Sequence, residues 1–156
     1  MEVSRFVPAS ADAIFAVLAD PKGHVEIDAS GMLMDAEGDP VERAGDRFVV
    51  HMDREALGDF PLGKYDVEVV ITEFVPGREI AWTVEGQMRP FVRDIYGYRL
   101  EPAAGGTLVT SYYDWSQLEE SWKQRLTFPI VPESALESTL GILERTVRRR
   151  AADKSK

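Results

Sequence analysis

The segment KYDVEVVITEFV, residues 64–75, limits what this chain can fold into more than any other. Tyr65, Val67, Val69 and Ile71 fall on one side of an extended backbone, and Asp66, Glu68 and Thr72 on the other. A period of two sustained this long predicts a strand of an antiparallel sheet with one buried and one wet face. Such a strand needs partners with the same pattern and a further layer to cover its apolar side.

Other segments supply the partners. DRFVVHMD sets Phe48, Val50 and Met52 against Val49 and His51. REIAWTVEG places Ile80, Trp82 and Val84 on one face. RDIYGYRLEP and TLVTSYYDWS alternate on either side of AAGG, a hairpin signal. GMLMDAE and the opening EVSRFV read as shorter strands, the latter with Val3 and Arg5 on one face and Ser4 and Phe6 on the other. Pro76-Gly77 is a tight turn, and REALGDFPLG is a loop.

The covering layer comes from helices. Ser10 is expected to cap a short one carrying Ile14, Phe15 and Leu18, with Asp12 in its positive first turn and Asp20-Pro21 as its stop. PKGHVEID predicts a second, followed by the turn ASG. Near the end, Ser116 is expected to cap a segment containing Leu118, Trp122 and Leu126, interrupted by FPIVP at residues 128–132. Ser134 and Glu137 form a capping-box pattern, and Leu136, Leu140, Leu143 and Val147 make one apolar stripe of a long terminal helix. The expectation is a single domain over residues 1–152 with a basic tail, 153–156. Its class is α+β: about seven antiparallel strands wrapped around the terminal helix, with two short helices after the first strand. A twisted sheet curls around one helix and tends to leave a gap that side chains fill only in part.

Composition narrows the function. A length of 156 residues allows a core with room to spare. The net charge is −9, with six basic and two acidic side chains in residues 144–156, so the body before them carries −13. Such a body repels phosphate backbones, which argues against nucleic-acid binding. Cations at residues 145–150 suit the negative end of a helix. The absence of cysteine removes disulfides, thiol nucleophiles and thiolate metal sites. Two histidines without a ligand spacing argue against a metal site, and no GxSxG, GxGxxG or P-loop points to a serine nucleophile or a nucleotide cofactor. No cofactor is expected. No apolar run approaches the roughly 18 residues of a membrane span. The start lacks the features of a signal peptide, so the expected location is cytoplasmic. The oligomeric state stays open, with a homodimer among the options.

Taken in order, EVSRFVPASADAIFAVLADP, the HVEIDASG turn, the EFVPGREIAW hairpin, GGTLVTSYYDWS and the PESALESTLGILERTV helix resemble the START-like superfamily, also called helix-grip or SRPBCC. More specifically, the chain resembles the polyketide cyclase/dehydrase and lipid-transport family. The resemblance covers nearly the whole chain and implies a pocketed domain that takes a small polyketide- or lipid-like molecule.

Within that frame, three functions are open. The first is binding of a small apolar or aromatic molecule between sheet and helix, lined by Met52, Val67, Val69, Trp82, Tyr96, Tyr98, Tyr112, Leu136, Leu140 and Leu143. Aromatic walls with a few hydroxyls are usual for such sites, although cross-strand tyrosine pairs also stabilise any sheet. The second is a cofactor-independent cyclase or dehydratase. His24 and Asp28, four apart on a helix, would be its base, and Tyr96 or Tyr98 would steady an enolate. The alternative for His24 and Asp28 is a local tie that fixes the turn. His51 is inert if Phe48, Val50 and Met52 point inward, and enters the pocket with Val49 if they do not. The third is a cochaperone-like interaction domain that uses Leu57, Phe60 and Leu62 of the 54–64 loop.

Overall fold

A computed structural model describes residues 1–59 and 61–154. The chain runs β1 (Glu2–Val7), α1 (Ala11–Leu18), α2 (Pro21–Ile27), β2 (Leu33–Glu37), β3 (Arg47–Asp53), β4 (Lys64–Val75), β5 (Glu79–Glu85), β6 (Ile95–Ala103), β7 (Gly106–Asp114), α3 (Glu120–Arg125) and α4 (Glu133–Lys154). Among the described residues the strands form one sheet of seven in the order β1-β7-β6-β5-β4-β3-β2. Every pairing is antiparallel. Meander connections from β2 to β7 give this order directly, and β1 closes the edge beside β7.

β4 follows its alternation. Val67, Val69 and Ile71 are buried, while Asp66, Glu68 and Thr72 are exposed. A bulge between Ile71 and Glu73 interrupts the register with β5, and bulges bend a strand and increase its twist. The apolar face is covered by α1, α2 and α4. Helix α4 sets Leu136, Leu140, Leu143, Thr146 and Val147 against it. Phe48 and Val50 are buried and Met52 half-buried, so β3 points its apolar face inward and puts His51 outside.

Helix α1 starts as its sequence dictates: the Ser10 hydroxyl accepts the Ala13 N–H at 3.1 Å. The Asp20 side chain caps α2, with Pro21 in its first turn. Gly23 lets α2 seat against α1, because a Cβ there would lie 1.9 Å from the Val17 carbonyl oxygen. That close approach brings the next residue, His24, under the sheet.

Two caps differ from expectation. Ser116 donates its N–H to Asp114 in a turn, and α3 is capped instead by Glu119, so Leu118 precedes that helix and Leu126 ends it. Helix α4 begins at Glu133, and the Pro132 carbonyl accepts the Ala135 N–H at 3.0 Å. Ser134 is therefore already inside the first turn and does not cap. Proline has no N–H to lose at a helix start, so it can stand where the serine was expected.

Arg150, near the end of the terminal helix, is built into the fold. Helix α4 continues to Lys154, so Asp153 and Lys154 are helical; Ser155 and Lys156 lie outside the described residues. Arg150 reaches Asp20 at 3.0 Å and Glu26 at 2.6 Å, tying the C-terminal half of α4 to α2 and its cap. Arg5 on β1 meets Glu144 at 3.2 Å. Among the described residues, no helix is long and apolar enough to cross a membrane.

Candidate functional site

Sheet curvature leaves a cavity of about 210 Å3 between the inner face, α2 and the first turns of α4. Strands β3 to β6 supply its floor through Val50, Met52, Val69, Trp82, Val84, Tyr96 and Tyr98. The roof is His24 and Ile27 from α2 with Leu136 and Thr139 from α4. The mouth lies between the exposed Ala29-Ser30 turn and Val131 and Ala135. The volume is below the roughly 300–1,000 Å3 of a drug-sized site.

A continuous run of rings passes through the lining. His24 packs edge-on to Phe48 at 5.0 Å between ring centres and against Trp82 at 4.6 Å. Trp82 stacks on Tyr98 at 5.9 Å and on Tyr96 at 6.4 Å. Tyr96 stacks on Tyr113 at 4.7 Å. Offset stacks and edge contacts are the arrangements that ring quadrupoles favour. The alternation of β5 and β6 places Trp82, Tyr96 and Tyr98 on one face, with Trp82 opposite Tyr96 across the pair.

Burial sets the electrostatics. His24 is 7% exposed, and loss of solvent lowers its pKa to about 4. At neutral pH it is an uncharged imidazole. Its Nε2 lies 2.8 Å from the Leu18 carbonyl oxygen, which can only accept, so Nε2 carries the proton. Beyond Tyr96 sits the buried Asp94. Tyr113 donates its hydroxyl to Asp94 Oδ2 at 2.6 Å, and Tyr96 makes a longer bond of 3.4 Å to the same oxygen. Burial raises the Asp94 carboxyl above its usual range and also raises both hydroxyls. Burial pushes Tyr98 up to about 12.

The catalytic pair expected of His24 and Asp28 is not formed. Helix α2 stops at Ile27, and Asp28 leaves it in an extended conformation, so the spacing of four no longer places the two on one face. Asp28 instead accepts from the Ser30 N–H at 2.9 Å, the Ser30 hydroxyl at 2.6 Å and the Leu33 N–H at 3.1 Å. It ties the turn at the cavity mouth. His51 is on the outer face, with Nδ1 2.6 Å from Asp66 and Nε2 3.4 Å from Glu37.

Of the residues expected to line the space, Met52, Val69, Trp82, Tyr96, Tyr98 and Leu136 border this cavity, as do His24 and Asp28, expected instead as a catalytic pair. Val67, Leu140 and Leu143 do not. They are buried in the close-packed core, where sheet and helix meet without a gap. Tyr112 borders the cavity from the plane of the sheet, but its side chain turns to the opposite face. There it lies over Gly97, where a Cβ would come within 2.3 Å of its ring, and bonds Glu79 at 2.6 Å. Pairing of Tyr112 with Gly97, and of Tyr113 with Tyr96, fixes that orientation. Sequence reasoning missed Ile27, Met32, Leu33, Val131, Ala135 and Thr139. Most sit at element ends or in loops, where no periodicity marks a direction. Leu57 is 45% exposed, Leu62 is half-buried rather than exposed, and Phe60 is outside the described residues.

Among the described residues, no group of three or more histidine and acidic side chains could hold a metal ion. No curated sequence matches the chain significantly. Solved structures share its fold at low identity. A crystal structure from Chromobacterium violaceum superposes with a TM-score of 0.64 at 16% identity, covering 94% of this chain and 95% of that one. A Mycobacterium smegmatis protein gives 0.63 at 18%, covering 96% and 90%. An AHSA1-like protein from Aeromonas hydrophila gives 0.61 at 15%, covering 97% and 94%. The family described as polyketide cyclase/dehydrase and lipid transport matches residues 1–148. The chain belongs to that family and has its helix-grip fold.

Proposed function

We propose that this protein binds a small, mainly apolar molecule, flat enough to lie against Trp82, Tyr96 and Tyr98, in the cavity between sheet and α4. The supporting observation is the cavity itself: a ring-lined space of about 210 Å3 with a mouth at the Ala29-Ser30 turn. Close-packed interiors rarely keep such a space without use. Family membership agrees with a carrier or pocket role, and the volume favours one or two rings over a long acyl chain. Binding is preferred to acid–base catalysis because Asp28 spends its oxygens on Ser30 and Leu33 and does not orient His24.

Native mass spectrometry of the protein as purified, with and without added naphthalene-type ligands, tests this reading. A bound small molecule at 1:1 is the expected result. Ala135→Trp, which plugs the mouth from the half-buried first turn of α4, should weaken that binding at least about tenfold, or about 1.4 kcal/mol. A folded wild type that retains no apolar ligand sinks the reading.

A further inference from the structure

Two polar groups of the cavity, one on each covering helix, present the same chemistry. His24 uses its single imidazole proton on the Leu18 carbonyl, 2.8 Å from Nε2. A neutral imidazole has one donor and one acceptor, so Nδ1 holds a lone pair. Nδ1 has no protein partner, yet Thr146 Oγ1 is the one sealed side-chain nitrogen or oxygen without a bond among the described residues. Nδ1 is therefore open, and the space His24 borders is this cavity. Thr139 repeats the arrangement from α4. Its hydroxyl donates to the Ala135 carbonyl at 2.9 Å, so what it offers the cavity is oxygen lone pairs. Two lining side chains on different helices have each spent a proton on backbone and keep acceptor lone pairs. Tyr98 and Ser111, on the sheet side, sit opposite each other across the β6–β7 pair.

Charge sharpens the point. No lysine or arginine lines the cavity, and its one acidic side chain, Asp28, is occupied at the mouth. An anionic ligand group brought inside would lose its water and meet two acceptors with no cation. The cost of burying an unpaired carboxylate far exceeds that of a hydrogen-bonded neutral group. A neutral donor meets the opposite situation, since it satisfies an acceptor that the protein leaves unpaired.

We propose that this cavity selects ligands presenting a neutral hydrogen-bond donor (a phenol, an enol or an amide N–H) and rejects carboxylates and phosphates, with His24 Nδ1 and Thr139 Oγ1 as the selecting atoms. The proposal rests on the reading that the cavity binds a small apolar molecule, and names its chemical class.

Calorimetric titration of the whole protein at pH 7 with 2-naphthol, 2-methoxynaphthalene and 2-naphthoate tests it. These share one ring system and differ in the polar group: donor, acceptor only, and anion. Naphthol should bind about tenfold or more tighter than either of the others. The preference for naphthol over its methyl ether should shrink several-fold in His24→Phe and in Thr139→Val. Equal affinities for naphthol and the methyl ether, or tighter binding of naphthoate, overturn the proposal and leave the cavity reading standing. Binding of none of the three overturns both. The wild-type series decides the matter even if His24→Phe does not fold, and Thr139→Val is near-isosteric on a helix already formed.

Discussion

The two faces of this sheet are made from the same strands, often from adjacent residues, and they solve opposite problems. The inner face is aliphatic and aromatic, with few polar groups. The outer face is a lattice of charges: Arg47 between Glu68 and Glu85, His51 between Asp66 and Glu37, and Tyr112 held by Glu79 under the Arg99 guanidinium. The histidines show the difference in one residue type. Burial pulls His24 down to a pKa of about 4, while hydrogen bonding to Asp66 raises His51 above its usual value. Side-chain chemistry does not set these values; the face of the sheet does.

The sharpest way to break the comparison is to make the same cut on each face. Ile71, 1% exposed, is followed by the exposed Thr72. Ile71→Ala should cost about 2–5 kcal/mol in urea unfolding, through lost transfer energy and a cavity that cannot fully collapse. Thr72→Ala should stay within about 0.5 kcal/mol. Similar costs for the two would show that the faces are not energetically distinct.

Acid should then separate the histidines. Between pH 6.5 and about 4, an unfolded chain protonates His24 and the native one does not. The unfolded state binds more protons there, so stability falls as pH falls through that window, by about 3 kcal/mol for a shift of this size. Burial raises the Asp94 carboxyl, which acts the other way at the acid end, so the clean measure is the difference between wild type and His24→Gln. Identical pH slopes in the two proteins would remove His24 from this role.

The smallest effect belongs to His51. Its raised pKa contributes stability below the ordinary histidine value, and that contribution is lost as pH rises through the native value. An NMR titration of the ring protons should place its midpoint above that of a free histidine, and Asp66→Asn should bring it down. An unmoved midpoint would mean that the 2.6 Å contact carries no charge interaction.

The faces also differ in how much of each could be read from sequence. Alternation assigned the strands and their buried sides, because each buried residue leaves its mark two positions away. It also told Tyr98 from Arg99. It could not assign Tyr112, because the inward side of β7 follows from its register with β6 and not from its own pattern of polar and aromatic residues. The stripe on α4 was legible, but not where along it packing gives way to space. Leu136 meets the cavity while Leu140 and Leu143, one and two turns on, meet the core. His24 and Asp28 show the limit of helical spacing: a rule for neighbours on a helix fails when the helix ends between them.

The ties made by Arg150 have a bearing on how this fold diverges. They fasten one end of α4, while Ala135, at the mouth, lies about 22 Å away along the helix axis. At that separation, substitutions act almost independently. Residues around the mouth can then drift in size and polarity while the fastened end keeps the helix in place. A fold built this way can reshape its cavity without renegotiating its architecture. Solved structures share this fold at 15–18% identity.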